Sequence, residues 1–369
     1  MSIPNIATRI HLKTAPTTDV NLNFGEEDST FEIKQVPVSA DLKSGEILVK
    51  TLYLSNDPTQ RTWIQKGSNP ARAYIPPILE GDIMLAAGIG EIVKSNSEKY
   101  KVGDIITSRM QWADYIVLNE AQVNAVIDPS AGFPLPYYLS VFGLTSLTAL
   151  FGWTEAGKLK RLLENPEEGK NLTVCVSAAS GATGSMAIQI AKHILGIGKV
   201  IGITGSDEKC KLVEGIGADL CVNFNDPEYK TKISEYVGNE FIDVYFDNVG
   251  GEILSFLLTK IKKFGRIVAC GAISGYQNRE LSKVTNWNEI ITSSLTVEGF
   301  IVLNYRNKFP EGIKTLVGAI QSGKIKAKGS YNVEELTGDD PIERLQQIPQ
   351  IWKTLFTGKP AGKLLTKVA

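Results

Sequence analysis

LTVCVSAASGATGSMAIQIAK, residues 172–192, is the stretch on which the reading of this chain turns. It begins with an apolar run, Leu172-Thr173-Val174-Cys175-Val176, of the kind that suits a strand buried on both faces of a parallel sheet. Small residues follow from Ser177 to Gly184, and then Met186, Ile188, Ile190 and Ala191 enter a helical pattern that runs to Leu195. Strand, glycine turn and helix form the context in which a dinucleotide fingerprint is credible. A pyrophosphate needs backbone N–H groups at a helix N-terminus, and bulky side chains there would hold it off, hence Ala179, Gly181 and Gly184. The first glycine of the pattern is Ala179, so the six residues alone fit either a nucleotide turn or a strand packed closely on a helix.

The rest of the chain bounds the choice. A length of 369 residues suggests about two domains. Lys+Arg 39 against Asp+Glu 40 leaves a net charge of -1, so no global field recruits nucleic acid or an anionic membrane. No basic stripe interleaved with aromatics is present, which speaks against a nucleic-acid partner. Cys175, Cys210, Cys221 and Cys270 lack CxxC spacing and read as small core residues of a reducing, cytoplasmic compartment. The opening MSIPNIATRIHLK lacks the apolar run of a secretory signal. The uncharged stretch 137–153 is broken by Ser140, Gly143 and Gly152 and reads as a buried helix, with no membrane span expected.

Residues 7–127 are mostly strand-like, with runs at 31–38, 46–54, 88–94 and 115–118 separated by turn signals, and this predicts a partly open β-barrel. From Leu172 strands and helices alternate. Strands are expected at 172–176, 199–204, 219–223, 242–247, 266–270 and 296–302, with helices at 207–217 and 251–263 between them. That pattern predicts an α/β fold with a doubly wound parallel sheet and its cofactor at the carboxyl ends of the strands. A helix is expected at 311–323 and a short β-like tail at 358–368.

A reader of the NAD 2′-hydroxyl would be an acid about 20 residues past the fingerprint. The second strand ends instead in Gly205-Ser206, with Lys209 in the next first turn, where an amine can pair with a 2′-phosphate. NADP(H) is therefore the expected cofactor. No metal is expected: the two histidines, His11 and His193, belong to no Cys/His/Glu cluster, whereas a catalytic zinc takes three such ligands.

With these features together the chain resembles the zinc-independent branch of the medium-chain dehydrogenases/reductases, which includes leukotriene B4 dehydrogenases, prostaglandin reductases and double-bond (2-alkenal) reductases. The likeness runs from Leu52 to Val368 through LYLSNDPTQR (52–61), GLTSLTALFG (143–152), VSAASGATGS (176–185), GSDEK (205–209), FDNVGGE (246–252), GRIVACGAISGY (265–276) and EGFIV (298–302). It implies a GroES-like substrate domain, 1–135 completed by 315–369, and a Rossmann NADP(H)-binding domain, 136–314, with the active site in the cleft and a homodimer formed through the Rossmann sheets. By position, Gly181, Ala182, Thr183 and Gly184 would meet the pyrophosphate and Lys209 the 2′-phosphate. Asn248, Cys270, Gly271, Ala272, Ile273, Ser274 and Tyr276, with Phe300, Ile301 and Val302, would line the nicotinamide side. Tyr276 and Tyr53 are the catalytic candidates, the first near the nicotinamide ribose and the second facing substrate.

The family usually has methionine where this chain has Gln60, a cofactor-contacting tyrosine where it has Phe224, and asparagine where it has Pro360. Residues 338–347 read as an insertion. The reaction implied is reduction of the C=C bond of an enal or enone by hydride delivery to the β-carbon, with the Tyr276 hydroxyl and the cofactor's ribose hydroxyl as candidate donors to the developing enolate. Two other functions fit the same residues: an NADPH-dependent quinone reductase and a non-catalytic NADPH-binding regulatory protein.

Overall fold

The computed structural model describes residues 3–38, 41–358 and 360–369. The chain divides into two units: Met1–Leu139 with Asn332–Pro360 and Leu364–Ala369, and Ser140–Tyr331 with Ala361–Lys363.

The first unit opens with β1 (Ile6–Leu12) and β2 (Phe31–Pro37), paired antiparallel. The larger sheet is built on β3 (Glu46–Ser55), β4 (Leu85–Ser95), β5 (Ile105–Gln111), β6 (Tyr115–Asn119) and β7 (Val123–Ile127). All of its pairings along β3-β4-β5-β7 are antiparallel, and β6 pairs with β3. Alternation of buried and less buried residues along β5 sends one face to the core and one to water.

The second unit begins with α1 (Leu144–Phe151) and then sets out β8 (Thr173–Ser177), β9 (Lys199–Thr204), β10 (Leu220–Asn223), β11 (Ile242–Asp247), β12 (Ile261–Ala269) and β13 (Thr296–Gly299). Their order in the sheet is β10-β9-β8-β11-β12-β13, all parallel, the arrangement of a Rossmann sheet. β8, at its centre, is buried along its whole length, which is why its sequence shows no polar alternation. Crossovers include α2 (Ala182–Gln189), α3 (Asp207–Gly215) and α4 (Gly251–Leu258).

Three expected elements come out differently. The stretch 137–153 is not one helix: a 3-10 turn ends at Tyr138, α1 starts after the cap residue Gly143, and a π-helical turn occupies Gly152–Ala156. The hydroxyl of Ser146 bonds the Ser140 carbonyl at 2.9 Å and fixes that break. The helix expected over 251–263 stops at Leu258, because Ile261 is already paired with Ile242 in the sheet. The last strand ends at Gly299, before a 3-10 run over Val302–Lys308.

α5 (Phe309–Gln321) also belongs to the second unit, whereas the sequence put the return to the first domain at 315. Its Gly312 lies so close to α1 that a Cβ there would stand 2.8 Å from Leu147 Cδ2 and 2.9 Å from Phe151 Cζ. The chain returns to the first unit at Asn332, within β14 (Tyr331–Glu335). There α6 (Pro341–Lys353) drives Trp352 into a cluster with Phe31 and Trp112, ring centroids 6.3 and 5.9 Å away. β15 (Lys363–Lys367) then closes the sheet against β3, Leu365 facing Ser55 and Lys367 facing Tyr53.

Candidate functional site

The glycine turn leaves β8 at Ser177 and enters α2 at its N-cap, Gly181. No side chain caps that helix, and an α-helix leaves its first N–H groups without intrahelical partners. The amides of Ala182, Thr183 and Gly184 are therefore donors available to an anion. Gly184 permits the geometry: a Cβ there would stand 2.1 Å from the Ala178 carbonyl oxygen and 2.8 Å from Ala179 Cα. The structure also accounts for Ala179 in the place of the pattern's first glycine. Its methyl is accommodated by Gly202 on β9, where a Cβ would lie 3.1 Å from it. A turn of unobstructed donors fits a pyrophosphate.

The chain holds this turn from two further directions. Ser180 and Thr204 share a hydroxyl hydrogen bond of 2.7 Å. The Gly362 amide donates to the Ser180 carbonyl at 2.7 Å, and Lys363 N–H donates to the Ser330 carbonyl at 2.8 Å. Gly362 escaped the sequence reading. Its segment drew notice only for Pro360, and nothing in 359–363 signals a partner some 180 residues earlier.

At the tip of β9 the Ser206 side chain caps α3 by accepting from Lys209 N–H at 3.3 Å. Burial holds the Lys209 amine below the ordinary lysine range, partly offset by Glu208. Of the two acids in the first turn, Asp207 accepts from the Asn223 side-chain amide at 3.0 Å. Phe224 is 44% exposed and lies against Gly205, its Cε1 3.4 Å from where a Cβ would be.

The ends of β8, β11 and β12 converge on Asp247, which is 2% exposed. Its Oδ1 accepts from Tyr245 OH (2.7 Å), Ser177 OH (3.2 Å), Val249 N–H (3.0 Å) and Gly250 N–H (2.9 Å). Its carbonyl accepts from the Cys270 and Gly271 amides at 2.9 and 3.1 Å. Asn248 is pinned beside it: its N–H donates to Ser177 Oγ at 2.9 Å and its side-chain amide to the Ser177 carbonyl at 2.8 Å. Ile273 N–H returns to the Asn248 carbonyl at 3.2 Å, and the Ser274 hydroxyl to Val249 O at 2.6 Å. Tyr276 follows the 3-10 turn Ile273–Gly275, and its phenol oxygen lies 3.2 Å from where a Cβ on Gly271 would stand. Asn248 and residues 270–276 thus form one cluster. Burial pushes the Cys270 thiol up to about 12, so it is neutral.

Phe300, Ile301 and Val302 leave the end of β13, two strands from β11. Phe300 packs edge-on against Phe246, centroids 6.4 Å apart. Tyr53 lies in the first unit, half-buried on β3 opposite Ile89 and Lys367. Asp57 is a turn residue: its N–H donates to Gln60 Oε1 at 2.8 Å and its carbonyl takes Trp352 Nε1–H at 3.0 Å. Gln60 is fully buried and also donates to Leu85 O at 2.8 Å, which explains a glutamine in a place where the resemblance leads one to expect methionine. Each histidine bonds a carbonyl, His11 to Gly81 and His193 to Ile216. Among the described residues no three His, Cys, Asp or Glu side chains gather as a metal-binding group.

Comparison with known proteins gives matches over most of the chain. Residues 12–126 match a family model described as the N-terminal domain of oxidoreductase, and residues 182–318 one described as zinc-binding dehydrogenase. A protein of Saccharomyces cerevisiae named uncharacterized membrane protein YML131W is 34% identical over 97% of both chains. The NADP(+)-dependent 2-alkenal reductase of Nicotiana tabacum is 30% identical over 93% of this chain and 94% of its own. Prostaglandin reductase 1 of Bos taurus is 32% identical over 92% of this chain and 94% of its own. CurA of Vibrio vulnificus, solved in complex with NADPH, superposes with a TM-score of 0.78 over 98% of this chain and 99% of its own at 24% identity, a likeness of fold. Despite the name of the yeast relative, no helix among the described residues is long and apolar enough to cross a membrane.

Proposed function

Because this chain belongs to the zinc-independent medium-chain dehydrogenases/reductases, in the branch that holds the double-bond reductases, we propose that it reduces the C=C bond of α,β-unsaturated aldehydes or ketones. It is an NADP-dependent oxidoreductase. Bound NADPH supplies the hydride that ends on the β-carbon, and a proton completes the saturated carbonyl at the α-carbon.

Every other requirement falls on the chain. The amides of Ala182, Thr183 and Gly184 hold the pyrophosphate, with Gly181 as the cap residue that lets it approach, and Lys209 holds the 2′-phosphate. Asn248 and the segment Cys270, Gly271, Ala272, Ile273, Ser274 and Tyr276 orient the nicotinamide, with Phe300, Ile301 and Val302 beside them. The Tyr276 hydroxyl donates to the carbonyl oxygen as negative charge gathers there. A fixed donor does this better than water because it need not reorient. The observation that carries this reading is the Tyr276 phenol held against Gly271 in the Asn248 cluster. Tyr53 is the proposed substrate contact of the first unit, to be checked by the KM of Tyr53→Phe.

The test is NADPH oxidation at about 340 nm, the reduced-nicotinamide band, with an α,β-unsaturated aldehyde, its saturated analogue and a quinone in parallel. Turnover of the unsaturated aldehyde alone, yielding the saturated aldehyde, is expected. Preference for the quinone would move the assignment to a quinone reductase, and NADPH binding without turnover to a non-catalytic role.

A homodimer and a cytoplasmic location belong to the same proposal. The edge strand β13 is exposed, with Val297 at 44%, and Phe264 within its partner β12 is 73% exposed. Such an edge invites a second copy. Light scattering on the purified chain checks the first, and cell fractionation the second.

A further inference from the structure

The buried carboxylate of Asp247 takes no part in the reaction outlined above, yet four hydrogen bonds converge on one of its oxygens. Four donors meet on its Oδ1: two hydroxyls, from Ser177 and Tyr245, and two amides, from Val249 and Gly250. They come from the ends of two adjacent strands, β8 and β11, and from the turn that leads into α4. In that turn Gly250 and Gly251 both adopt positive φ, +72° and +58°, which glycine tolerates, and the amides of Val249 and Gly250 both reach the Asp247 oxygen. The carboxylate fills the nest that this makes.

The contacts then run outward. Ser177 Oγ, which donates to Asp247, accepts the Asn248 amide N–H, and the Ser177 carbonyl accepts the Asn248 side chain. The Asp247 carbonyl takes the amides of Cys270 and Gly271, the start of the segment that ends in Tyr276. One residue therefore fixes both halves of the proposed nicotinamide pocket.

We infer that Asp247 is a positioning residue: through Ser177 it sets the Asn248 side chain, and through its turn and carbonyl it sets the Tyr276 segment. A charged acceptor is needed because bonds to a carboxylate are roughly twice as strong as bonds to a neutral oxygen. Asparagine at 247 keeps the shape and loses the charge. Burial holds the carboxyl above its ordinary range, and the four hydrogen bonds to Oδ1 work against that shift in favour of the charged form. This inference rests on the reading that these strand ends hold the nicotinamide.

The experiment uses the full chain, NADPH, and adenosine 2′,5′-bisphosphate as a probe that lacks the nicotinamide half. Asp247→Asn is expected to lower kcat about tenfold and to reduce the change in reduced-nicotinamide fluorescence on binding. Its Kd for the bisphosphate should stay within about twofold of wild type, since Lys209 and the glycine turn are untouched. Ser177→Ala, which removes only the bridging hydroxyl, should shift the same readouts in the same direction by a smaller factor, and it carries the test if Asp247→Asn does not fold. Variants that keep both the fluorescence change and kcat, or that lose affinity for both ligands alike, overturn the role of Asp247. A wild-type chain whose bound NADPH shows no change in nicotinamide fluorescence overturns the underlying site reading instead.

Discussion

Gly184→Ala is the sharpest test of the cofactor turn, because two glycines of one turn face the same oxygen at different distances. A Cβ on Gly181 would stand 3.2 Å from the Ala178 carbonyl oxygen, and one on Gly184 only 2.1 Å from it, about 1 Å closer and deep inside van der Waals contact. The neighbour is backbone, so it cannot rotate away as a side chain would. The same oxygen accepts the Gly181 amide at 2.9 Å, so displacing it also disturbs the cap of α2. Over-packing of this kind costs about 1–3 kcal/mol. If that cost falls on the bound state, NADPH affinity drops by about fivefold to over a hundredfold, at roughly 1.4 kcal/mol per factor of ten. The assay is a fluorescence titration with NADPH for wild type, Gly184→Ala and Gly181→Ala, with urea unfolding of each to show how much of the cost falls on the free protein. Gly181→Ala should bind within a few-fold of wild type. Equal affinity for all three, with equal stability, would refute the assignment of this turn to the phosphates.

The other predictions concern separate parts of the molecule. Lys209→Ala should weaken NADPH by roughly ten- to a hundredfold, the value of a hydrogen bond to a charged group, and leave NADH unchanged; parallel titrations decide it. Because burial holds the Lys209 amine below the ordinary lysine range, wild-type NADPH affinity should fall as pH rises and that amine loses its proton, before an ordinary lysine would; Lys209→Met should show no such loss. Tyr276→Phe should lower kcat at least about tenfold, or roughly 1.4 kcal/mol, with NADPH Kd unchanged, and steady-state kinetics will show whether the hydroxyl or only the ring matters. Gln60→Met should destabilise the chain by about 1–3 kcal/mol in urea, because it strips partners from Asp57 N–H and Leu85 O in a buried site.

The legible parts of the sequence were those where local pattern and tertiary role agree. β8 could be read because a strand covered on both faces must be apolar throughout, and α3 because Ser206 is a cap in sequence and in structure. The helix expected over 251–263 ran too far because Ile261, Lys262 and Lys263 carry no signal against helix; the pairing of Ile261 with Ile242, which sequence does not display, ends it. Residues 338–347, read as an insertion, carry the start of a helix that the sequence reading did not name. Asp340 accepts from Ile342 N–H and Pro341 opens the helix, a cap signature that could have been found had the segment not been set aside as an insertion.

The site divides along the same line. Glycines and Lys209 announce themselves because each answers a local need, a close approach or a charge beside a helix start. Asp247 and Gly362 do not, since each acts through partners some 70 and 180 residues away in the chain, Ser177 and Ser180. FDNVGG displays its asparagine and glycines as candidates, while its aspartate looks like one more acid at the end of a strand. Only burial at 2% exposure, with four donors on a single oxygen, distinguishes it. A carboxylate so placed cannot be exchanged for an amide without loosening the two segments it joins, and these are the segments on which the proposed chemistry depends. The residues proposed to touch the ligand are therefore ones that local sequence can nominate, and those that hold them in register required the fold.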